Sequence, residues 1–298
     1  MNYYCHFMIF GLYSNGMTQN FTVFPEDNHR SREKGILVYP VYSRRSGGLS
    51  VGINLFPDHK CCPFDCPYCE VFPFSTTAAF SLEQMEHDLR TVIANALDRN
   101  IPVKDICFSG NGEPSLSSDF PDALGLTAHI RNELVPSAEL VLITNGAGLL
   151  EPELFSLLRD AANGSPALNI WLKLDAGTPG WYQKLNRTAI PFEKLIAKIK
   201  EIAACAPVTI QTMLCAVDGR GPLPEEVQAW EELLVELAVI AAKGTGNIRN
   251  IQIYGKARPA PEDPKTTALP SEYLEQRAAS LRRKFNVSSL NPQIAVYP

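Results

Sequence analysis

The residues best suited to chemistry are four cysteines in one short segment, HKCCPFDCPYCE, within a chain of 298 residues. Cys62, Cys66 and Cys69 form a CxxxCxxC pattern directly after an apolar stretch. Spacing this tight holds three thiolates on one side of a short loop, where they can bind three corners of an iron–sulfur cube. A 4Fe–4S cluster normally takes four cysteine ligands, and a fourth at comparable spacing is missing. One iron would therefore keep an open coordination site for a substrate or cosubstrate.

Two other uses of these cysteines are open. His59 or Cys61 would supply the fourth ligand of a structural zinc site, and Cys66 and Cys69 also form a CxxC pair of the kind found in redox disulfides. Adjacent Cys61 and Cys62 do not match usual zinc spacing, which weakens the zinc interpretation. We therefore favour a cluster in which Cys61 is a neighbour rather than a ligand.

The other cysteines, Cys5, Cys107, Cys205 and Cys215, lie far apart along the chain, which argues against a second cluster and against a secreted disulfide framework. Thiolates used as metal ligands need a reducing compartment. The first residues also lack the pattern of a secretory signal peptide. The apolar stretches are shorter than the roughly 18 consecutive residues of a membrane span. These features predict a cytoplasmic protein with no membrane partner.

The overall charge is mildly acidic, with 27 Lys and Arg residues against 32 Asp and Glu residues, a formal net charge of −5. This balance argues against a bare phosphate backbone as the main partner, although a local basic groove remains open. Basic residues precede the cysteine segment and occur near the C-terminal end, where a solvated charged face is the simpler explanation. They are Arg30, Arg32, Lys34, Arg44 and Arg45, and then Arg277, Arg282, Arg283 and Lys284.

The elements that must position these residues alternate between strand-like and helix-like segments, the pattern of a parallel sheet with crossover helices. Six apolar runs predict strands, at 49–56, 105–110, 139–146, 168–177, 208–215 and 250–255. Amphipathic segments between them predict helices, at 81–97, 153–162, 191–204 and 224–242. Six units are fewer than the eight of a closed barrel, so the predicted fold is α/β, an open, partial (β/α)6 TIM-like barrel.

The predicted domain organisation has one barrel domain at residues 36–260. Residues 1–35 are expected to form a poorly ordered N-terminal extension, and Met17 is the suspected translation start. Residues 261–298 begin with a Pro-rich, polar stretch and are expected to form a covering loop and a terminal helix.

Polar residues follow several of the predicted strands, at the edge of the sheet where barrel enzymes carry their active sites. Asn145 follows the third strand, and Asp175 follows the fourth. Lys173 precedes Asp175 by two residues, so both side chains should point to the same side. A buried pair of this kind is costly and is more often kept for function than for stability. A solvated pair is the alternative, because a partial barrel is open to water.

These motifs together resemble the radical S-adenosylmethionine (radical SAM) superfamily. The resemblance rests on CxxxCxxC with an aromatic residue before the last cysteine, after the first strand of a six-unit βα domain. More narrowly, GGLSVGINLFP, FSGNGEPSL, ITNG, WLKLDAGTPGWYQKLNR and QIYGKARP resemble, in this order, a branch of largely unassigned Fe–S oxidoreductases related to the wyosine-synthesis tRNA-modifying enzymes. The resemblance covers about residues 36–260.

The resemblance implies roles for individual residues. Gly112, Glu113 and Pro114 are similar to the GGE-type element that meets the methionyl ammonium, although Asn111 replaces its first glycine. Lys173 and Asp175 are the candidate catalytic residues, which would bind a carboxylate of the substrate or of the cofactor. The candidate cofactor-binding residues are Tyr68, Gly112, Glu113, Pro114, Asn145 and Gln211, and the candidate cluster ligands are Cys62, Cys66 and Cys69.

The implied function is that of a radical SAM enzyme with two cofactors, a 4Fe–4S cluster and S-adenosylmethionine. The reduced cluster would cleave S-adenosylmethionine to a 5′-deoxyadenosyl radical, which abstracts hydrogen from a small-molecule, peptide or tRNA substrate. An external electron donor of the flavodoxin or ferredoxin type is expected. The alternative from a different class is a non-catalytic iron–sulfur or zinc protein that acts as a sensor or binding module.

Overall fold

The computed structural model describes residues 35–288 and 290–298, together with the backbone of two short strands near the N-terminus. These strands, β1 (Met8–Leu12) and β2 (Thr18–Thr22), pair with each other in antiparallel register. The prediction about Met17 falls on a residue outside the described ones. The boundaries predicted for the three parts of the chain stay predictions.

The main sheet contains the six predicted strands as parallel neighbours in chain order. They are β4 (Gly48–Ile53), β5 (Val103–Phe108), β6 (Glu139–Thr144), β7 (Leu168–Lys173), β8 (Pro207–Val217) and β9 (Asn247–Gly255). The sheet curls into an open half-barrel, which confirms the predicted partial (β/α)6 architecture.

Three further strands extend the sheet, and the apolar runs did not predict them. β3 (Val38–Ser43) pairs antiparallel with β4 at one edge, and β11 (Gln293–Tyr297) pairs parallel with β9 at the other. β10 (Thr266–Ala268) pairs antiparallel with β8. Residues 261–298 therefore contribute two strands to the sheet in addition to the predicted terminal helix.

Helices connect the parallel strands and cover the outside of the sheet. They are α1 (Leu82–Asp98), α2 (Phe120–Leu134), α3 (Pro152–Ala162), α4 (Pro179–Leu185), α5 (Phe192–Cys205), α6 (Pro224–Lys243) and α7 (Ser271–Val287), with short 3-10 turns at Pro114–Leu116 and Ala147–Leu150. The Ser81 hydroxyl accepts from the Gln84 backbone N–H at 3.2 Å and caps α1. None of the described helices combines the length and apolarity needed to cross a membrane.

The two faces of the parallel strands differ in chemistry. Outward-facing side chains such as Val51, Phe108 and Leu142 are fully buried in the apolar core that packs against the helices. Because side chains alternate along a strand, the inward-facing residues form a separate set. These are polar or aromatic on several strands, for example Ser50, Asp105, Trp171, Lys173, Gln211, Gln252 and Tyr254. The barrel interior is therefore chemically distinct from the core.

The two edges of the open sheet meet through the turn between β3 and β4. Arg44 in this turn donates to the backbone carbonyl of Pro298 at 2.6 Å. The hydroxyl of Tyr297 in β11 donates to the backbone carbonyl of Arg45 at 3.4 Å. This turn therefore lies across the side of the barrel where the sheet does not close.

Candidate active site

The cysteine loop follows β4 at the carboxyl end of the parallel strands and is fixed to the segment after β5. The Cys61 backbone N–H donates to the Asn111 carbonyl at 2.9 Å, and the Glu113 N–H donates to the Cys61 carbonyl at 2.8 Å. A Cβ atom on Gly112 would lie 1.9 Å from that carbonyl oxygen, so only glycine fits between the two segments.

Two of the three predicted cluster ligands accept hydrogen bonds at sulfur. Sγ of Cys62 accepts from the Asn145 side-chain amide at 3.4 Å, and Sγ of Cys66 accepts from the Asn186 side-chain amide at 3.6 Å. The backbone N–H of Cys69 donates to the Cys66 carbonyl at 3.0 Å, which closes the loop into a turn. Hydrogen bonds to ligand sulfurs are a feature of iron–sulfur sites, where they influence the reduction potential.

Burial disfavours the thiolate form of two of these cysteines. It raises the pKa of Cys62 to about 12 and the pKa of Cys66 to about 11. The thiolate charges of Cys66 and Cys69 raise the pKa of Cys62 further, so the three sulfurs lie in one neighbourhood. Among the described residues, no group of three or more Cys, His, Asp or Glu side chains is already gathered at metal-binding distance. A donor set of three thiols fits an iron–sulfur cluster, and the sulfurs would have to move together on loading.

A cavity of about 430 Å³ lies beside the cysteine loop. Cys66 and Cys69 line it together with Lys60, Phe74 and Glu262. Cys66 and Cys69 are therefore reachable from outside the barrel at this point.

Glu113 is buried and fully engaged with neighbouring donors. One carboxylate oxygen accepts from the hydroxyl of Thr144 at 2.6 Å and from the hydroxyl of Ser115 at 2.7 Å, and the other accepts from the Asn145 backbone N–H at 2.7 Å. Burial raises the pKa of this carboxyl, while the hydrogen bonds oppose the increase. Glu113 thus joins the ends of β5 and β6, and its expected contact with a methionyl ammonium stays a prediction.

Asp175 is the centre of a second group of contacts. Its carboxylate accepts hydrogen bonds from the Tyr68 hydroxyl, from the Asn186 side-chain amide at 3.2 Å and from the Met213 backbone N–H at 2.8 Å. The ammonium of Lys173 lies 3.3 Å from Asp175, and both side chains are largely withdrawn from solvent. The geometry is that of a buried pair on one side of the strand, as the spacing of the two residues predicts.

Lys173 also contacts two tyrosines. Its Nζ atom donates to the hydroxyl of Tyr254 at 2.5 Å and lies 4.8 Å from the ring centroid of Tyr68. Burial by itself would lower the pKa of Lys173, but the charge of Asp175 and the contact with Tyr254 raise it overall. Lys173 is therefore a fixed cation at neutral pH, suited to holding an anion rather than to exchanging a proton.

The predicted site residues fall into two groups, with one residue apart. Asn145 and Glu113 lie near Cys62, with Gly112 and Pro114 in the same chain segment as Glu113. Tyr68, Lys173 and Asp175 lie around Cys66. Gln211 lies deeper in the barrel, where its amide nitrogen donates to Gln252 at 2.7 Å. The roles assigned to these residues stay predictions.

Two contacts of the site were not predicted from the sequence. Asn186 joins Cys66 to Asp175, and Arg45 enters the barrel interior. The only available signal for Asn186 was its place in the KLNR end of a segment that resembles the superfamily.

Comparison with known proteins confirms the open, parallel half-barrel fold of the chain. SuiB of Streptococcus suis, in a structure bound to precursor peptide SuiA, is 13% identical with a TM-score of 0.57, over 81% of this chain and 47% of that chain. A radical SAM methyltransferase from Sphaerobacter thermophilus is 14% identical with a TM-score of 0.59, over 86% of this chain and 68% of that chain.

One curated relative has a higher sequence identity over a shorter part of the chain. The UPF0026 protein of Helicobacter pylori strain J99 is 30% identical over 131 residues, which is 42% of this chain and 39% of the relative. The match therefore spans less than half of the relative's length. No family model matches the chain.

Proposed function

We propose that this protein is a radical SAM enzyme in which Cys62, Cys66 and Cys69 bind three irons of a 4Fe–4S cluster. The observation that carries the proposal is the position of these thiols at the carboxyl end of the first parallel strand of this fold, with amide donors at two of the sulfurs. Cys61 is not assigned as a ligand, because it lies outside the CxxxCxxC pattern.

When bound, the cluster supplies the electron that cleaves S-adenosylmethionine at its sulfonium. The residues of this chain position the reactants. Glu113 holds the Thr144–Asn145 segment close to Cys62, and Asn145 presents its amide to the sulfur of that residue. Lys173 offers a permanent positive charge next to Cys66, where a carboxylate of the cofactor or of the substrate would find a partner.

The substrate is assigned to the barrel interior, because the polar and aromatic side chains of β7, β8 and β9 face it. A peptide is one candidate class, since the SuiB neighbour is bound to a precursor peptide, and tRNA and small molecules are the other two. The cavity beside Cys66 and Cys69 gives an external electron donor of the flavodoxin or ferredoxin type a route to the cluster. A cytoplasmic location is part of the same proposal.

The first experiment is anaerobic reconstitution with iron and sulfide, followed by EPR spectroscopy of the dithionite-reduced protein with and without S-adenosylmethionine. We expect a 4Fe–4S signal that changes when S-adenosylmethionine is added, and formation of 5′-deoxyadenosine. Cys62→Ala, Cys66→Ala and Cys69→Ala should each lose the cluster. Cys205→Ala is the matched control, because this partly exposed thiol on α5 lies outside the site and should leave the cluster intact.

Two results would contradict the proposal. One is stoichiometric zinc in place of iron in the purified protein. The other is a cluster whose EPR signal does not respond to S-adenosylmethionine. Either would favour a non-catalytic metal protein that acts as a sensor or binding module.

A further inference from the structure

An arginine from the turn between β3 and β4 projects into the barrel interior. The guanidinium of Arg45 lies 5.6 Å from the ring centroid of Trp171 on β7 and 5.3 Å from that of Tyr254 on β9. Both rings belong to the inward-facing set of residues. The Tyr297 hydroxyl holds the backbone carbonyl of Arg45, which fixes the turn from which the side chain extends.

Within the part of the chain that the structure describes, three carboxylates of this region make their direct contacts with residues other than Arg45. Asp175 pairs with Lys173 at 3.3 Å, and Glu70 pairs with Arg258 at 3.0 Å. Asp105, on the inner face of β5, accepts a hydrogen bond from the hydroxyl of Ser50 at 2.5 Å. No ion pair of the described residues includes Arg45. Its positive charge lowers the pKa of Asp105, so the two side chains interact across the interior, but no carboxylate of the described residues contacts the guanidinium directly.

Polar atoms without partners lie on the same inner face. The side-chain oxygen of Gln211 and the indole N–H of Trp171 are buried and have no hydrogen-bond partner among the described residues. Gln211 is fully buried and lies in register between Lys173 and Gln252. Buried polar atoms of folded proteins nearly always have partners, so this set of one acceptor and one donor indicates a polar occupant.

We propose that Arg45 binds an anionic group of the substrate, a carboxylate or a phosphate, inside the barrel. A guanidinium packed against aromatic rings keeps its planar N–H edge free, and that edge matches the two oxygens of a carboxylate or phosphate. Gln211 and Trp171 then bind a neighbouring donor and acceptor of the same molecule. This inference rests on the proposed function, because it takes the barrel interior as the substrate site, and it assigns the substrate an anionic end away from the cysteine loop.

The test is a titration of the full chain, without cluster, with inorganic phosphate in one arm and succinate in the other. Binding is followed by the NMR signals of the arginine side-chain Nε–H groups, and the Arg45 signal is assigned by its loss in Arg45→Gln. We expect a saturable shift of the Arg45 signal with at least one anion. Binding should weaken by about tenfold or more in Arg45→Gln, since a charge-assisted hydrogen bond contributes roughly 1.5–3 kcal/mol.

Two further variants complete the test. Arg45→Lys keeps the charge but not the planar fork, so it should bind with intermediate affinity. Arg249→Gln is the matched control, because this exposed arginine of β9 lies outside the barrel interior and its loss should not change binding. Absence of a shift at Arg45 in both arms, or equal binding by Arg45→Gln and the wild type, overturns the inference.

Failure of this inference is distinguishable from failure of the proposed function. Anion binding is measured on the chain without cluster, whereas cleavage of S-adenosylmethionine is measured on the reconstituted wild type, so the two results are obtained independently. Anion binding at Arg45 in a protein that never cleaves S-adenosylmethionine would remove the proposed function and leave the anion site standing. Cleavage by a wild-type protein that binds neither anion at Arg45 would remove the anion site and leave the proposed function standing.

Discussion

The side-chain amide of Asn186 donates to Sγ of Cys66 at 3.6 Å. The same amide nitrogen lies 3.2 Å from the carboxylate of Asp175, which pairs with Lys173. One amide group therefore connects the cysteine loop with the buried ion pair of β7. A change in charge at Cys66 will alter the electrostatic potential at the Lys173–Asp175 pair, and the converse also holds, because the interior of a protein screens charge poorly.

Replacing Asn186 with Ala removes an N–H donor from the sulfur of Cys66, a proposed cluster ligand. We expect the reduction potential of the reconstituted cluster to become more negative, since the donor stabilises the extra electron of the reduced state. The measurement is an EPR-monitored redox titration. Asn163→Ala, an exposed change at the end of α3, should leave the potential at the wild-type value. An unchanged or more positive potential in Asn186→Ala would show that this contact does not influence the cluster.

The parallel strands were predictable because each is a short run of apolar residues between loop segments. The common side of Lys173 and Asp175 followed from the alternation of side chains. The contact of Asn186 with Cys66 was not predictable, because it joins residues 120 positions apart through loops whose path depends on the whole barrel. β3 was missed because Pro40 interrupts its apolar pattern, and β11 was missed because it is a short strand at the edge of the sheet.

The entry of Arg45 into the barrel illustrates a second limit of prediction from the sequence. In the sequence, Arg44 and Arg45 form a basic pair in a polar stretch, where a solvated face is the simpler explanation. Only the return of β3 alongside β4 places the turn across the open side of the sheet. The direction of the Arg45 side chain therefore depends on tertiary pairing that local patterns do not contain.

Gly112→Ala should break the contact between the cysteine loop and the segment after β5. The added Cβ would lie 1.9 Å from the Cys61 carbonyl oxygen, so the backbone pairing of Cys61 with Asn111 and Glu113 cannot persist. We expect far less iron per chain after reconstitution, measured by metal analysis. Gly125→Ala is the matched control on α2, where a Cβ meets nothing within 4 Å. It should load iron normally and gain about 1 kcal/mol in the free energy of unfolding. Normal iron loading by Gly112→Ala would contradict the tight contact.

Glu113→Ala should destabilise the fold even without a cluster. The change leaves the donors of Ser115, Thr144 and Asn145 buried without an acceptor. We expect a loss of about 3 kcal/mol in the free energy of unfolding, measured by urea denaturation. The exposed change Glu275→Ala on α7 should cost less than about 0.5 kcal/mol. A cost for Glu113→Ala as small as that of the control would favour a role limited to ligand binding.

Asp105 gives a prediction about pH, because burial raises the pKa of its carboxyl while hydrogen bonds from Ser46 and Ser50 oppose the increase. A carboxyl with a raised pKa stabilises the fold below its unfolded-state pKa of about 4, and this contribution is lost as pH rises through the folded-state pKa. Asn at this position has no proton to lose, and its side-chain oxygen can still accept from Ser50.

The free energy of unfolding of Asp105→Asn should therefore increase relative to that of the wild type as pH rises from about 4 to about 7. The measurement is a series of urea denaturation curves for both proteins across this range. Asp122→Asn, at an exposed position in the first turn of α2, should not show this gain, because its carboxyl is not buried. A constant difference between Asp105→Asn and the wild type across the range would mean that Asp105 titrates alike in the folded and unfolded chain. Its burial in the barrel would then impose no net cost on the charged form.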